Sequence, residues 1–167
     1  MWWVAGLRVL GCGGWGVGVS HDGGAVPTTR VLIIDDDPGV LEVACEALMR
    51  HGHACAPTRT GSGALSLLAR ERFSVIVLDL ALPDTDGLSL CYRLMGRAAG
   101  GAGASLPVVL ISGDPWRVSE QELAGTNVRG VLAKPLDPAR LCAAVDLALR
   151  LRIGPEDDHW SVLDRAA

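Results

Sequence analysis

Residues 30–38 read RVLIIDDDP, a short apolar run rich in β-branched residues that ends in three aspartates. Two other runs have the same design: residues 74–79 read SVIVLD, and residues 131–135 read VLAKP. Runs of this kind are typical of strands that are buried on both faces of a parallel sheet. The carboxyl ends of parallel strands lie along one edge, where open α/β sheets bind ligands, so the charges that follow the runs are expected to meet there. These charged residues are Asp35, Asp36, Asp37, Asp79 and Lys134.

Strand and helix patterns alternate over residues 30–152. The five predicted strands are Arg30–Ile34, His53–Ala56, Ser74–Leu78, Leu106–Ile111 and Val131–Ala133. Each strand is followed by a stretch with helical spacing of apolar residues, of which Pro115–Leu123 is the weakest. Aspartate–proline pairs at Asp37, Asp114 and Asp137 predict helix N-caps. Five strand–helix repeats predict an α/β fold with a doubly wound parallel sheet and right-handed crossovers.

Size and composition favour one folded domain. The chain has 167 residues, a hydrophobic content of 49% and no apolar run long enough to span a membrane. Its net charge is −4 and its basic residues form no cluster, which argues against direct nucleic-acid binding. The five cysteines are scattered without a CxxC pair, which is typical of reduced, packed thiols in a cytosolic protein.

Clustered acids at a sheet edge need a compensating charge. Three carboxylates within a few ångströms repel one another, and a hard divalent cation such as Mg²⁺ relieves that repulsion. Such a metal also neutralises a phosphoryl group during transfer, and one carboxylate can then act as the nucleophile. Lys134 would pair with the phosphoryl oxygens, and Ser112, just past the fourth predicted strand, offers a hydroxyl on the same edge.

Four segments carry a resemblance to a known family: VLIIDDDP (31–38), VIVLDLALPDTDG (75–87), PVVLISG (107–113) and VLAKP (131–135). In this order and spacing, residues 30–152 resemble the receiver domain of two-component response regulators. The resemblance implies a flavodoxin-like (βα)5 fold, whose five parallel strands follow the order 2-1-3-4-5.

The resemblance also implies roles for individual residues. Asp79 would be the phosphoacceptor, Ser112 the switch hydroxyl, and Lys134 the lysine that contacts the phosphoryl group. The Lys134–Pro135 peptide bond is expected to be cis, a feature of tight turns.

The metal site that the resemblance implies binds Mg²⁺ or Mn²⁺. Asp35 and Asp36 match the family's acidic pair, and Asp36 and Asp79 would be the direct carboxylate ligands. The full set is Asp35, Asp36, Asp79 and the backbone carbonyl of Ala81. We expect Asp37 to be a helix cap rather than a further ligand, and Asp84 and Asp86 to be turn and cap residues.

The function implied is that of a single-domain response regulator in the cytoplasm. A sensor histidine kinase or a histidine phosphotransfer protein would donate its phosphoryl group to Asp79. The domain would then act on an output protein as a switch or serve as a phosphorelay intermediate, with no membrane or nucleic acid bound and no catalysis beyond its own phosphorylation and dephosphorylation. The alternative is a pseudo-receiver scaffold that binds a partner without phosphorylation.

Three positions depart from the family pattern or leave its behaviour open. Family members usually carry tyrosine or phenylalanine where this chain has Val131, so we expect a smaller or different rearrangement on phosphorylation. Ala81 and Asp114 occupy positions that tune dephosphorylation in the family, and they leave the phosphoryl lifetime open. Trp116, nearby in sequence, is expected to pack in its loop, with a contact to a partner protein as the alternative.

The two ends of the chain differ from the repeats. Residues 1–29 are rich in glycine and tryptophan, and we expect either a disordered extension or a segment upstream of the native start. Residues 153–167 form a short, acidic tail. Residues 9–12 (VLGC) resemble a lipoprotein cleavage box, but the preceding segment lacks a basic start.

Two enzyme classes compete with the receiver interpretation. Gly11, Gly13 and Gly16 satisfy the G-x-G-x-x-G pattern of an NAD-dependent oxidoreductase, but the glycines and proline of residues 20–29 do not predict the helix that must follow. A phosphatase with an aspartate nucleophile would need a second acid two residues after Asp79, where this chain has alanine.

Overall fold

The computed structural model describes residues 29–98 and 106–151, with only the backbone for residues 96–98. It also gives the backbone of three short strands, Trp2–Val4, Leu7–Val9 and Ser161–Val162. Trp2–Val4 pairs antiparallel with Leu7–Val9 in the segment expected to be disordered or untranslated. The Gly11, Gly13 and Gly16 motif lies outside the described residues.

Five strands and five helices alternate in the described part of the chain. The strands are β1 (Arg30–Ile34), β2 (Ala54–Thr58), β3 (Val75–Asp79), β4 (Val108–Ser112) and β5 (Val128–Ala133). The helices are α1 (Pro38–Arg50), α2 (Gly61–Leu68), α3 (Gly87–Ala98), α4 (Glu120–Leu123) and α5 (Pro138–Arg150). A 3-10 helix, Pro115–Arg117, precedes α4.

The five strands form one parallel sheet in the order β2-β1-β3-β4-β5. This confirms the predicted flavodoxin-like fold and strand order. The acidic tail contributes one feature that was not predicted, since Ser161–Val162 pairs in parallel with Gly130 and Val131 at the β5 edge.

The core has two layers, one on each face of the sheet. Val31 and Ile33 point into the layer beneath α1 and α5, whereas Leu32 and Ile34 point into the layer beneath α2 and α3. Successive residues of a strand face opposite sides, so a continuous apolar run fills both layers. Every residue of β3 and β4 is buried. This packing holds the last residues of the two strands, Asp79 and Ser112, in fixed positions.

Most predicted helix caps are present. The Asp37 carboxylate accepts a hydrogen bond from Gly39 N (2.7 Å), and the Asp137 carboxylate accepts one from Arg140 N (2.8 Å). Asp114 holds the predicted N-cap position before Pro115, but the helix it precedes is the short 3-10 helix and its side chain makes no capping hydrogen bond. Ser119 and Glu122 form the capping box of α4, which therefore starts later than predicted and is only four residues long.

The cysteines are free thiols wherever the structure describes them. Cys91 and Cys142 are buried as expected, and Cys45 and Cys55 are half-buried. Within the described residues, no helix combines the length and the apolar composition that crossing a membrane requires.

Candidate functional site

Three carboxylates meet at the carboxyl edge of the sheet. Asp79 ends β3, and Asp35 and Asp36 follow β1, its neighbour in the sheet. Asp35 is fully buried, Asp79 is 3% exposed and Asp36 is half-buried. One oxygen of each residue lies within 4.8 Å of the others, so the structure brings together the acids that the strand pattern singled out.

Lys134 is the cation of this cluster and the only lysine in the chain. Its Nζ lies 2.9 Å from Asp35 Oδ2 and donates a hydrogen bond to Asp79 Oδ2 at 3.0 Å. The backbone N–H of Lys134 donates to the Ser112 carbonyl at 2.8 Å, which fixes the start of the loop after β5. The Lys134–Pro135 peptide bond is cis, as the resemblance implied.

The pKa values of Asp35 and Lys134, which form one of these ion pairs, are both shifted from their usual values. Burial raises the pKa of Asp35, and the charge of Asp79 adds to the effect, although hydrogen bonds from Lys134 and from the Asp37 backbone oppose it. Burial alone would lower the pKa of Lys134, but its hydrogen bonds to Asp35 and Asp79 outweigh that effect and the pKa is raised. The Lys134 ammonium thus contacts two of the three carboxylates, and the three acids outnumber the one lysine of the cluster.

Ser112 ends β4 and is 6% exposed. Asp79 pairs with Ile111 in the sheet, so Ser112 lies one residue beyond the partner of Asp79. Its Oγ accepts a hydrogen bond from Asp114 N at 3.0 Å. Because a hydroxyl that accepts one hydrogen bond still has its own hydrogen, Ser112 keeps a donor at the same edge.

The loop after β3 is closed by contacts between its own two ends. Ala81 forms an isolated antiparallel bridge with Asp86, and Gly87 N donates to the Leu80 carbonyl at 2.9 Å. A Cβ at Gly87 would lie 2.6 Å from the Asp79 carbonyl oxygen, so only glycine fits there. Ala81 is thus held in the loop that directly follows Asp79 by its bridge to Asp86.

The acids expected to act as caps do so. Asp84 accepts hydrogen bonds from Gly61 N and Ser62 N, both at 2.9 Å, and thereby caps α2. Asp86 accepts one from Ser89 N at 2.9 Å at the start of α3. The exposed Asp37 carboxylate caps α1, while its N–H donates to Asp35 Oδ1 at 2.9 Å.

Sequence reasoning missed one residue at this edge. The Arg59 side chain donates from Nε to the Asp36 carbonyl at 3.0 Å. Arg59 is exposed and directly follows β2, an edge strand beside β1. The rule that pointed to the other charges, a polar residue at the carboxyl end of a strand, therefore also applied to Arg59.

Two residues whose side chains bear on the output expectations, Val131 and Trp116, differ in burial. Val131 is 1% exposed and packs in the core layer on the side of α2 and α3. The expectation that Trp116 packs in its loop was wrong, because this residue is 67% exposed in the 3-10 helix. Tyr92 is 51% exposed, and its hydroxyl donates to the Glu122 carbonyl at 3.0 Å, which joins α3 to α4.

Comparison with known proteins identifies the domain. A family model described as the response regulator receiver domain matches residues 31–146, well over half of the chain. The chain belongs to the response regulator receiver family. Receiver domains are phosphorylated on an aspartate in two-component signalling, generally bind Mg²⁺ at an acidic pocket, and interact with sensor kinases and output effectors. They are not enzymes of the usual kind.

Individual receiver proteins are similar in sequence over most of this chain. It is 33% identical over 135 residues to the response regulator MprA of Mycobacterium avium (strain 104), which covers 80% of this chain and 56% of that protein. It is 26% identical over 131 residues to the transcriptional regulatory protein GlrR of Escherichia coli (strain K12), which covers 78% of this chain and 28% of that protein. The chain thus spans between about a quarter and just over half of these relatives.

Solved receiver structures have the same fold. A sensor protein from Polaromonas sp. JS666 is similar with a TM-score of 0.65 and 28% identity, covering 75% of this chain and 99% of that one. The BeF3-activated DrrB receiver domain is similar with a TM-score of 0.57 and 25% identity, covering 74% and 98% of the two chains. Asp35 and Asp36, which the dinucleotide-binding alternative required as its acids, lie within the matched domain and in its acidic cluster.

Proposed function

We propose that this receiver accepts a phosphoryl group on Asp79 from a phosphohistidine of a sensor histidine kinase or a histidine phosphotransfer protein. The observation that carries the proposal is the position of the Asp79 carboxylate, which ends β3 at the edge of the sheet. There it is clustered with two further carboxylates and hydrogen-bonded to Lys134 at 3.0 Å. An excess of negative charge around a nucleophile needs a cation before a phosphoryl group can approach.

The oxygen donors of this cluster fit Mg²⁺ or Mn²⁺, which prefer carboxylates, carbonyls and water. Asp36 and Asp79 would supply the carboxylate ligands, and the carbonyl of Ala81 a third oxygen. Asp35 is fully buried and held by Lys134 and Asp37 N, so its role is to position the ligands around it. When bound, the metal neutralises the charge on the phosphoryl oxygens.

In the transfer step, a carboxylate oxygen of Asp79 attacks phosphorus, the bond from phosphorus to the imidazole nitrogen breaks, and the histidine takes up a proton from solvent. Lys134 Nζ then binds a phosphoryl oxygen through a charge-assisted hydrogen bond. Ser112 donates its hydroxyl hydrogen to another. The resulting acyl phosphate is held by groups on three neighbouring strand ends, those of β3, β4 and β5.

The new bonds to Ser112 and Lys134 would alter the loops that follow β4 and β5. These loops lead to the 3-10 helix, α4 and α5. Phosphorylation would therefore shift the equilibrium between two conformations of the surface that these helices form. Val131 is small and already buried, so the shift there is expected to be modest. The domain would pass its signal to an output protein as a switch, or its phosphoryl group onward as a relay intermediate.

The test is incubation with acetyl phosphate and Mg²⁺, followed by intact-mass measurement. The wild type should gain the mass of one phosphoryl group, and Asp79→Asn should gain none. Asp37→Asn is the matched control, because this exposed carboxylate is a helix cap and asparagine caps helices equally well. Full signalling by Asp79→Asn in cells would instead support the phosphorylation-independent scaffold.

A further inference from the structure

A second cluster of metal-binding side chains lies at the opposite edge of the sheet. His51 caps the end of α1, His53 immediately precedes β2, and Asp146 lies on α5. His51 Nε2 is 2.9 Å from Asp146 Oδ2, and His53 Nε2 is 3.5 Å from Asp146 Oδ1. One ligand atom from each of the three residues lies within 4.8 Å of the others.

We propose that His51, His53 and Asp146 form a binding site for a divalent transition-metal ion, with Zn²⁺ as the best fit. Two imidazoles and one carboxylate are a usual zinc ligand set, and water completes the tetrahedron. A tetrahedral zinc ion with bonds of about 2.0–2.1 Å separates its ligand atoms by roughly 3.3 Å. The two histidine–aspartate distances, 2.9 and 3.5 Å, lie on either side of this separation. Small side-chain movements are therefore enough to place the three ligand atoms around a zinc ion.

The second observation is a buried imidazole nitrogen that makes an ion-pair contact of 3.5 Å but no hydrogen bond. The His53 side chain is 9% exposed, and its Nε2 is buried without a hydrogen-bond partner although it points toward Asp146. Buried polar atoms are nearly always hydrogen-bonded, and an unsatisfied one calls for a specific explanation. A bound metal ion would satisfy this nitrogen directly.

The backbone holds the two imidazoles in place. His51 N donates to the Ala47 carbonyl, Gly52 N to the Met49 carbonyl, and His53 N to the Leu48 carbonyl at 2.9 Å. Gly52 between the histidines has a φ of 91°, a left-handed conformation that glycine adopts without strain. The turn therefore fixes the spacing of the two side chains before any ion binds.

The site is accessible and chemically distinct from the acidic cluster. The His51 side chain is 48% exposed, and His51 and Asp146 line an open cleft between α1 and α5, which gives an ion a path to enter. Imidazole nitrogen favours zinc, nickel and copper, whereas the oxygen donors around Asp79 favour magnesium and manganese. Because α1 has 13 residues and is about 20 Å long, the two sites are well separated.

A metal ion here would join the loop after α1 to α5. Asp146 and His51 are 95 residues apart in sequence, so the bond would fasten the first and last helices of the described domain. A ligand that binds only the folded state stabilises it by RT ln(1 + c/Kd), where c is the free ligand concentration, so the melting temperature rises with the logarithm of the ligand concentration above Kd. This inference does not depend on phosphorylation of Asp79.

The test is zinc titration by calorimetry on the full chain after EDTA treatment, in an Asp36→Asn, Asp79→Asn background that removes the acidic cluster as a competing site. We expect one equivalent of Zn²⁺ to bind and to raise the melting temperature. We also expect cobalt to give the intense visible absorption of a tetrahedral ion. His51→Gln changes an exposed side chain and Asp146→Asn a half-buried one, and each should weaken zinc binding at least about 100-fold.

Cys142→Ser is the matched control. Cys142 lines the same cleft, but its thiol donates to the Ala47 carbonyl, so zinc binding should stay within about two-fold of the parent. His53→Gln is a third test, with circular dichroism to check folding; if it does not fold, His51→Gln and Asp146→Asn decide the question. No zinc binding by the parent, or equal binding by His51→Gln and Asp146→Asn, would overturn the proposal.

Discussion

Lys134 Nζ bonds Asp79 Oδ2 at 3.0 Å across β4, the strand that separates β3 from β5 in the sheet. The same nitrogen lies 2.9 Å from Asp35 Oδ2. One ammonium thus links the ends of three strands, and it is the only lysine ammonium the chain can offer. Stability, titration and phosphoryl binding at this edge should therefore all respond to one side chain.

Replacing this lysine should destabilise the metal-free protein. Lys134→Met leaves the buried Asp35 and Asp79 without their cation, and it should lower the free energy of unfolding by about 1–3 kcal/mol in EDTA. Urea denaturation measures the change. Arg50→Met is the control, since its ion pair with Glu46 is exposed and is worth less than about 1 kcal/mol. If Lys134→Met and Arg50→Met lose equally small amounts of unfolding free energy, the ion pairs of Lys134 with Asp35 and Asp79 behave as exposed pairs, and the prediction is wrong.

The titration of Lys134 can be observed directly, because isotope-labelled lysine gives one NMR signal from the whole chain. Its pKa should lie above the usual 10.5 in EDTA, since the hydrogen bonds to Asp35 and Asp79 outweigh burial. Because the pKa of Lys134 is higher in the folded than in the unfolded state, its protonated form stabilises the fold. This stabilisation is fully present below pH 10.5 and is lost as the pH rises through the folded-state pKa. An Asp35→Asn, Asp79→Asn variant should show a lower pKa. An unchanged pKa in that variant would contradict the pairing.

The effect of Asp35→Asn on the melting temperature should depend on whether Mg²⁺ is present. Burial raises the pKa of Asp35 above 3.8, so the folded state binds its proton more tightly and stability falls as the pH rises through that range. At neutral pH in EDTA, Asp35→Asn should therefore melt at a higher temperature than the wild type. In saturating Mg²⁺ the advantage should shrink or reverse, because the site loses a carboxylate. If Asp35→Asn melts at a lower temperature than the wild type in both EDTA and Mg²⁺, burial of the charged Asp35 carboxylate does not destabilise the protein, and the prediction is wrong.

Val131 should limit the rearrangement that phosphorylation causes. Its side chain is buried in the core, so no ring is available to swing inward when Ser112 engages the phosphoryl group. Structures of the free and beryllofluoride-bound protein should show only small shifts of β5 and α4. Val131→Tyr is the comparison variant. A larger shift of β5 and α4 in this variant than in the wild type would show that the aromatic ring causes the rearrangement. A large wild-type shift at this face would contradict the prediction.

Much of the fold was predictable because buried parallel strands are continuous apolar runs. The bounds of β1 were predicted correctly, whereas β2 continues through Pro57 to Thr58. A proline is tolerated there because β2 is an edge strand. The start of β5 at Val128 was missed, since Arg129 and Gly130 interrupt its apolar run. The capping box at Ser119 overrode the weaker signal at Asp114.

The two clusters differ in how far sequence could reveal them. The acidic one follows from topology, because Asp35, Asp79 and Lys134 each come just after or at a strand end on the same edge. The histidine cluster has no such signal. It joins a loop at His51 to a helix at Asp146 through the packing of α1 on α5, which no local pattern encodes.

The most direct test of the account locates the phosphoryl group itself. Protein treated with acetyl phosphate and Mg²⁺ is reduced with borohydride, which converts an aspartyl phosphate to homoserine, and then digested with trypsin. The peptide of residues 73–93 contains Asp79, Asp84 and Asp86, and tandem mass spectrometry distinguishes them. We predict homoserine at position 79 alone, dependent on the metal; conversion at another aspartate, or none at all, would contradict the central claim.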